Sequence, residues 1–379
     1  MGLKSPFQFG KIAEGRFFTN RKQDIDRLLV NFSSNLNTIL ISPRRWGKTS
    51  LVKKTAQLAG KKFSDYRFVY IDMFYLRSEN EFYNYFTREV LKSTSGKLEE
   101  WIQTAKSFLG KISPKISVGV DPLNDFEISF ELRDVERHFI DILNLPEKIA
   151  KEKNIKIIIC IDEFQNLSKI ADPRGFQQRL RAAWQHHQKT VYCLYGSKRS
   201  ILMNIFENQS NPLYKFGEVL YLEKIKDTDL QKFIIARFKF TGKFIDDEQA
   251  LKIVELMQNH PYYVQQLAHL VWVQAEDIVN EKNMDQAIQD LLDQNSLLFE
   301  REIEHLSNTQ INFLKALADG ISDGISSKEI INQYNLGTSG NVIKVKKTLL
   351  AREIIDIIQS QPVFMDPAFQ LWFKEYYHK

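Results

Sequence analysis

The chain has 379 residues, 43% hydrophobic and 26% charged, enough to bury a full core in two or three domains. Its net charge of +5 is too small and too dispersed to form a basic tail, and two cysteines exclude a disulfide framework. No apolar stretch reaches the roughly 20 residues of a membrane span, and the opening MGLKSPFQFG lacks the apolar region of a secretory signal, so a cytoplasmic protein is expected.

Residues 37 to 42, NTILIS, read as a short buried strand, and Thr49 to Leu58 as a helix closed by Gly60. Between them Ser42, Pro43, Arg44, Arg45, Trp46, Gly47, Lys48 and Thr49 fit the phosphate-loop pattern G-x-x-x-x-G-K-[ST], except that serine takes the first glycine position. Such a loop curls successive backbone N–H groups around phosphates, and the helix N-terminus adds partial positive charge. Lys48 would reach the β- and γ-phosphates and Thr49 would ligate Mg²⁺, with Ser42 through Ser50 forming the cradle for a nucleotide's phosphates. Taken alone, the segment also reads as a basic turn capping a helix.

RFVYIDM (67 to 73) is a second strand. KISVGV and FEISFE then alternate apolar and polar residues around DPLND, the pattern of a β-hairpin that packs on the core, with a partner-binding edge as the competing reading. Residues 155 to 163, IKIIICIDE, form a continuous apolar strand that delivers two carboxylates to the C-terminal edge of a sheet. Asp162 would hold Mg²⁺ and Glu163 would polarise the attacking water. A helix around Gln177 to His187 leads to TVYCLYGS (190 to 197), and EVLYLE (218 to 223) supplies a fifth strand. A strand between the phosphate loop and the carboxylate strand marks the catalytic-glutamate (ASCE) division of P-loop NTPases. At the end of the fourth strand, Ser197 is a candidate γ-phosphate sensor and Arg199 a candidate phosphate contact; the competing reading makes Ser197 a helix N-cap. Cys160 and Cys193 sit in apolar runs as free thiols, and the adjacent His186 and His187 face different ways, which excludes a shared metal.

Residues 226 to 298 have helical spacing, with Thr228 and Gln231 as a capping box, and read as a small bundle that closes over nucleotide. From 299 onward the rhythm changes to helices over Leu306 to Leu317, Ser326 to Tyr334 and Asn341 to Leu350, followed by an alternating strand region from Ile354 to Phe364: a winged helix. Val342, Val345 and Leu349 should face inward, leaving Asn341, Lys344 and Lys347 outside to meet DNA; a solvated helix in a protein-binding wing is the competing reading.

The ordered set FFTNRKQDIDRL, SPRRWGKTSL, ICIDEFQNL, YGSKRSILMNIF, NPLYKFGEVLYLEKI, NHPYYVQQLAH and VFMDPAFQLWF resembles the archaeal-type ATPases of the STAND class, P-loop proteins related to AAA+ and origin-initiator ATPases. The resemblance spans nearly the whole chain. It implies an α/β P-loop core (1–225), a helical lid (226–298) and a C-terminal winged helix (299–379), with ATP as the nucleotide. It also implies that Asn20 and Arg21 lie near the adenine or ribose and that Pro261 approaches the base. Two positions depart from the family pattern: Asn259 stands where the lid motif has glycine, and Lys215-Phe216 where Gly-Arg is usual. The expected function is an ATP-binding and ATP-hydrolysing switch coupled to a DNA- or protein-binding winged helix, with oligomerisation left open. The alternative is a binding module with negligible turnover.

Overall fold

The computed structural model describes residues 4–109, 112, 115–118, 126–358 and 360–377. They fall into two compact units, one running from Arg21 to Glu223, the other joining the residues up to Asn20 with those from Lys224 onward.

The first unit is built on five strands, β1 (Thr38–Ile41), β2 (Tyr66–Asp72), β5 (Lys156–Asp162), β6 (Thr190–Gly196) and β7 (Glu218–Tyr221), in the order β2-β5-β6-β1-β7. Every neighbouring pair is parallel. Parallel sheets carry helices on both faces, which is why β1, β5 and β6 are apolar runs without alternation and are almost wholly buried. All five strands end at the same edge, so residues 42, 162 and 197 are delivered to one rim. Beneath that rim lies an aromatic core in which Trp184 stacks on Tyr192 with ring centroids 4.1 Å apart, and Phe82, Phe86 and Phe176 pack close by.

The helix after β1 runs from Lys48 to Lys62 and passes through Gly60, the expected stop. Gly60 has no left-handed φ here, and Ala59 before it is fully buried. Packing outweighs the roughly 1 kcal/mol that glycine costs a helix. The expected hairpin is present as β3 (Lys115–Val118) paired antiparallel with β4 (Phe126–Ser129), a separate two-stranded sheet. It packs against the Glu79–Thr94 helix, whose Asn84 accepts the Phe130 N–H at 3.1 Å. The turn residues 121–125 lie outside the described residues.

In the second unit the helices Asp227–Phe240, Asp247–Leu256, Pro261–Gln274 and Glu281–Glu304 make up the helical segment expected as a lid. The helices Asn308–Ala318, Lys328–Gln333 and Ser339–Ala351, the hairpin β8 (Ile355–Ile358) and β9 (Gln361–Phe364), and a final helix Pro367–Tyr376 form the winged helix. One apolar core runs through both. The Glu281–Glu304 helix crosses the boundary expected at 298. Residues before Arg21 join this unit rather than the ATPase core: Phe7 is buried against Phe233 and Phe238, and the Gln8 N–H reaches Gln265 at 3.1 Å.

The lid's first helix starts at Asp227 with no side-chain cap, so Thr228 falls inside the first turn and Gln231 donates instead to the Asp247 carbonyl at 2.8 Å. Asp227 and Asp229 supply the negative charge that a helix N-terminus favours. The third winged-helix helix begins two residues before its expected start, because Gly337 takes φ +82° in the preceding turn and the Thr338 hydroxyl accepts the Asn341 N–H. Val342, Val345 and Leu349 are buried as expected, and Trp272, Trp372 and Phe373 are buried in the same core. Among the described residues no helix is long and apolar enough to cross a membrane.

Candidate nucleotide site

The loop after β1 explains how serine replaces the first glycine. Ser42 is buried, and its φ is not left-handed, so an ordinary L-residue fits there. The left-handed positions are Arg45 (φ +62°) and Gly47 (φ +85°). Gly47 directly precedes the Lys48–Lys62 helix and no side chain caps that end, so its first N–H groups face the loop. Trp46 and Ser50 are buried and Pro43 is half-buried, while Arg44 and Arg45 are exposed. Lys48 is 6% exposed, and its Nζ donates to the Ser42 carbonyl at 3.0 Å and the Pro43 carbonyl at 2.9 Å, holding the ammonium across the loop.

Asp162 ends β5 beside this loop. Its Oδ2 accepts from Thr49 Oγ1 at 2.7 Å and its Oδ1 from the Glu163 N–H at 2.8 Å. Burial pushes the Asp162 carboxyl up to about 6, against the Thr49 and Glu163 hydrogen bonds and the Lys48 charge, which hold it down. Two hard oxygen donors, Thr49 Oγ1 and Asp162 Oδ2, therefore meet where a cation would offset the cost of burying a carboxylate, a donor set suited to Mg²⁺. Glu163 follows with φ +51°, and its Oε2 accepts from Ser197 Oγ at 3.3 Å. Ser197 is thus bonded to Glu163; the next helix is preceded by Lys198 and no side chain caps it. Arg199 lies over the Tyr221 ring, 5.0 Å from its centroid.

The structure thus brings Lys48, Thr49, Asp162, Glu163 and Ser197 together and places Arg199 toward β7. Two neighbours escaped the sequence reading. Gln165 donates through Nε2 to Glu163 Oε2, and Asp72 pairs in register with Asp162 at the end of β2. The carboxylate ending RFVYID was the available signal for Asp72; a glutamine two residues past a carboxylate pair carries none by type alone.

The residues implied by resemblance divide between the units. Arg21 is 8% exposed and donates to the Glu223 carbonyl at 2.6 Å. Asn20 donates to Asp229 at 2.6 Å in the other unit, where Pro261 opens its helix. Asn259 has φ +62° and Lys215 φ +49°, so both residues standing for family glycines take the left-handed backbone glycine favours. Asn259 donates to the Ile225 carbonyl at 2.9 Å, and Phe216 is buried near Trp184 and Tyr192, so neither of the two residues after Tyr214 supplies an arginine. On the winged helix, Lys344 and Lys347 are exposed, whereas Asn341 is half-buried and spends its amide on the Leu336 carbonyl at 3.0 Å. His186 is exposed and His187 is bonded to Asn144 and Tyr192.

Comparison with known proteins agrees with this architecture. No curated protein matches the chain in sequence. Among solved structures, a Walker-type ATPase of Pyrococcus abyssi superposes with TM-score 0.65 at 16% identity, covering 97% of this chain and 99% of that one. The ORC2 protein of Aeropyrum pernix in its ADPNP-ADP complexes superposes with TM-score 0.56 at 15% identity, over 97% and 96% of the two chains. At such identities the likeness is one of fold. A winged helix domain family matches residues 297–375. The ATPase domain family predominantly from Archaea matches residues 18–267, and with its phosphate loop, parallel sheet and carboxylate pair the chain belongs to that family.

Proposed function

We propose that the protein is an ATP-binding and ATP-hydrolysing switch of the STAND class whose nucleotide state governs a winged helix that binds DNA or a protein partner. The observation that carries this reading is the convergence at one sheet edge of Lys48, the Thr49–Asp162 pair at 2.7 Å, and Glu163 with Ser197 at 3.3 Å. Lys48 would bind the β- and γ-phosphate oxygens, and Ser197 would orient the Glu163 carboxylate. Thr49 and Asp162 would hold Mg²⁺, which when bound supplies neutralisation of phosphate charge. Water attacks the γ-phosphorus as the bond to the ADP oxygen breaks, and Glu163 takes the water's proton.

Calorimetry with Mg-ATP tests the loop. Lys48→Ala removes a charge-assisted contact worth about 3 kcal/mol, so affinity should fall roughly 100-fold, and wild-type affinity would rule the loop out as the phosphate site. Glu163→Gln should bind ATP and stop turning over. A wild type that binds ATP without measurable turnover establishes the binding-module alternative.

A further inference from the structure

Gln165 lies in the short 3-10 turn Phe164–Lys169 that follows Glu163, and it is 1% exposed. Its Nε2 donates to Glu163 Oε2, the same oxygen that accepts from Ser197 Oγ. Its Oε1 is buried and meets no protein donor. Leaving a buried acceptor unpaired costs about 1–3 kcal/mol, so packing stability does not account for the placement of this amide. Gly196, the last residue of β6, supplies the second observation. A Cβ there would lie 1.8 Å from Gln165 Oε1 and 3.0 Å from its Cδ. Gly196 has no left-handed φ, so the backbone does not demand glycine. The room taken by the Gln165 amide does.

We propose that Gln165 is a positioning residue for Glu163 and that Gly196 is the gap that admits it. Two donors fix one carboxylate oxygen, on a backbone already held at φ +51°, and leave the other oxygen to face the attacking water. The proposal rests on the reading of Glu163 as the base.

The test uses the full chain and Mg-ATP, with kcat from steady-state turnover, KM, and Kd from calorimetry. Gln165→Met keeps the volume and loses the donor, so kcat should fall about 10- to 100-fold with KM and Kd within about 3-fold of wild type. Gly196→Ala should displace the flexible amide and cause a loss of similar size. Combining Gly196→Ala with Gln165→Ala removes the clash and should recover thermal stability without recovering kcat; a merely structural role would recover both. In a Glu163→Gln background, Gln165→Met should change nothing further. Wild-type kcat in Gln165→Met, or a loss confined to KM, would overturn the proposal. If Glu163→Gln keeps wild-type turnover, or the wild type has none, the base reading falls and takes the proposal with it. An inactive Glu163→Gln beside a fully active Gln165→Met sinks this inference alone.

Discussion

Replacing His187 by glutamine should flatten the acid side of the protein's stability profile. His187 Nε2 lies 2.8 Å from Asn144 Oδ1, which can only accept, so Nε2 carries the proton and Nδ1 accepts from the Tyr192 hydroxyl at 2.9 Å. The neutral ring satisfies both partners. Burial pushes its pKa down from 6.5 to about 4, against the pull of Glu147 and with help from Lys151 and His186. Between these values the unfolded chain binds more protons than the folded one, so stability is complete above 6.5 and is lost as pH falls toward 4. Comparing proton binding in the two states near pH 4.5, the loss is on the order of 2 to 3 kcal/mol. Asp162 acts in the opposite sense, because its raised carboxyl binds protons more readily in the folded state, but it is common to both proteins and cancels in the difference. Glu147 does not cancel fully: burial would raise it, the Gln188 and Lys189 N–H groups and Lys151 hold its carboxyl low, and His187 adds a smaller pull that the substitution removes. Urea unfolding followed by tryptophan fluorescence, which Trp184 on Tyr192 reports locally, gives the free-energy difference from near pH 8 to near pH 4.5. Parallel profiles for wild type and His187→Gln would refute the argument.

Gly217→Ala should cost more than about 2 kcal/mol, because the new methyl would lie 2.4 Å from the Asn37 backbone oxygen, which cannot swing aside; an unchanged thermal midpoint would show that β7 shifts freely. Replacing Lys344 and Lys347 together by alanine should reduce the magnitude of the log–log salt slope of DNA binding by about 0.9 per lost phosphate contact, and a folded double mutant with the original slope removes this face from the DNA contact. Asn341→Ala should destabilise the winged helix by about 1 kcal/mol through the lost bond to Leu336 while leaving that slope unchanged, and a change in the slope would give Asn341 a direct contact with DNA.

The strands that carry chemistry were readable because a buried parallel strand needs no alternation: IKIIICIDE announces both its burial and the carboxylates it delivers. The rim partners were less so. Ser197 stands at a strand end, where a polar residue draws notice, whereas the link between Gln165 and Gly196 exists only once two segments meet in space. Cap positions misled because local spacing is not decisive: Thr228 and Gln231 have capping-box spacing, but tertiary contacts of Asp227 and Asp229 with Asn259 and Asn20 accompany an earlier start to the helix. The family departures at Lys215 and Asn259 looked chemical in the sequence. In this chain both positions take the left-handed backbone that a glycine would favour.

The continuity of the second unit's core has a mechanical consequence. Gln258 bonds Gln370 at 2.6 Å, Tyr263 bonds Asp366, and Trp372 donates to Ser296 at 3.1 Å, so lid and wing are bolted together at three places besides their shared apolar packing. The 24-residue Glu281–Glu304 helix between them is a rod about 36 Å long, and a tilt of about 10° at one end sweeps the other through roughly 6 Å. Under the proposed switch, a tilt of the lid helices would carry the Ser339–Ala351 helix with it, and by linkage a ligand held by the wing would act back on the lid.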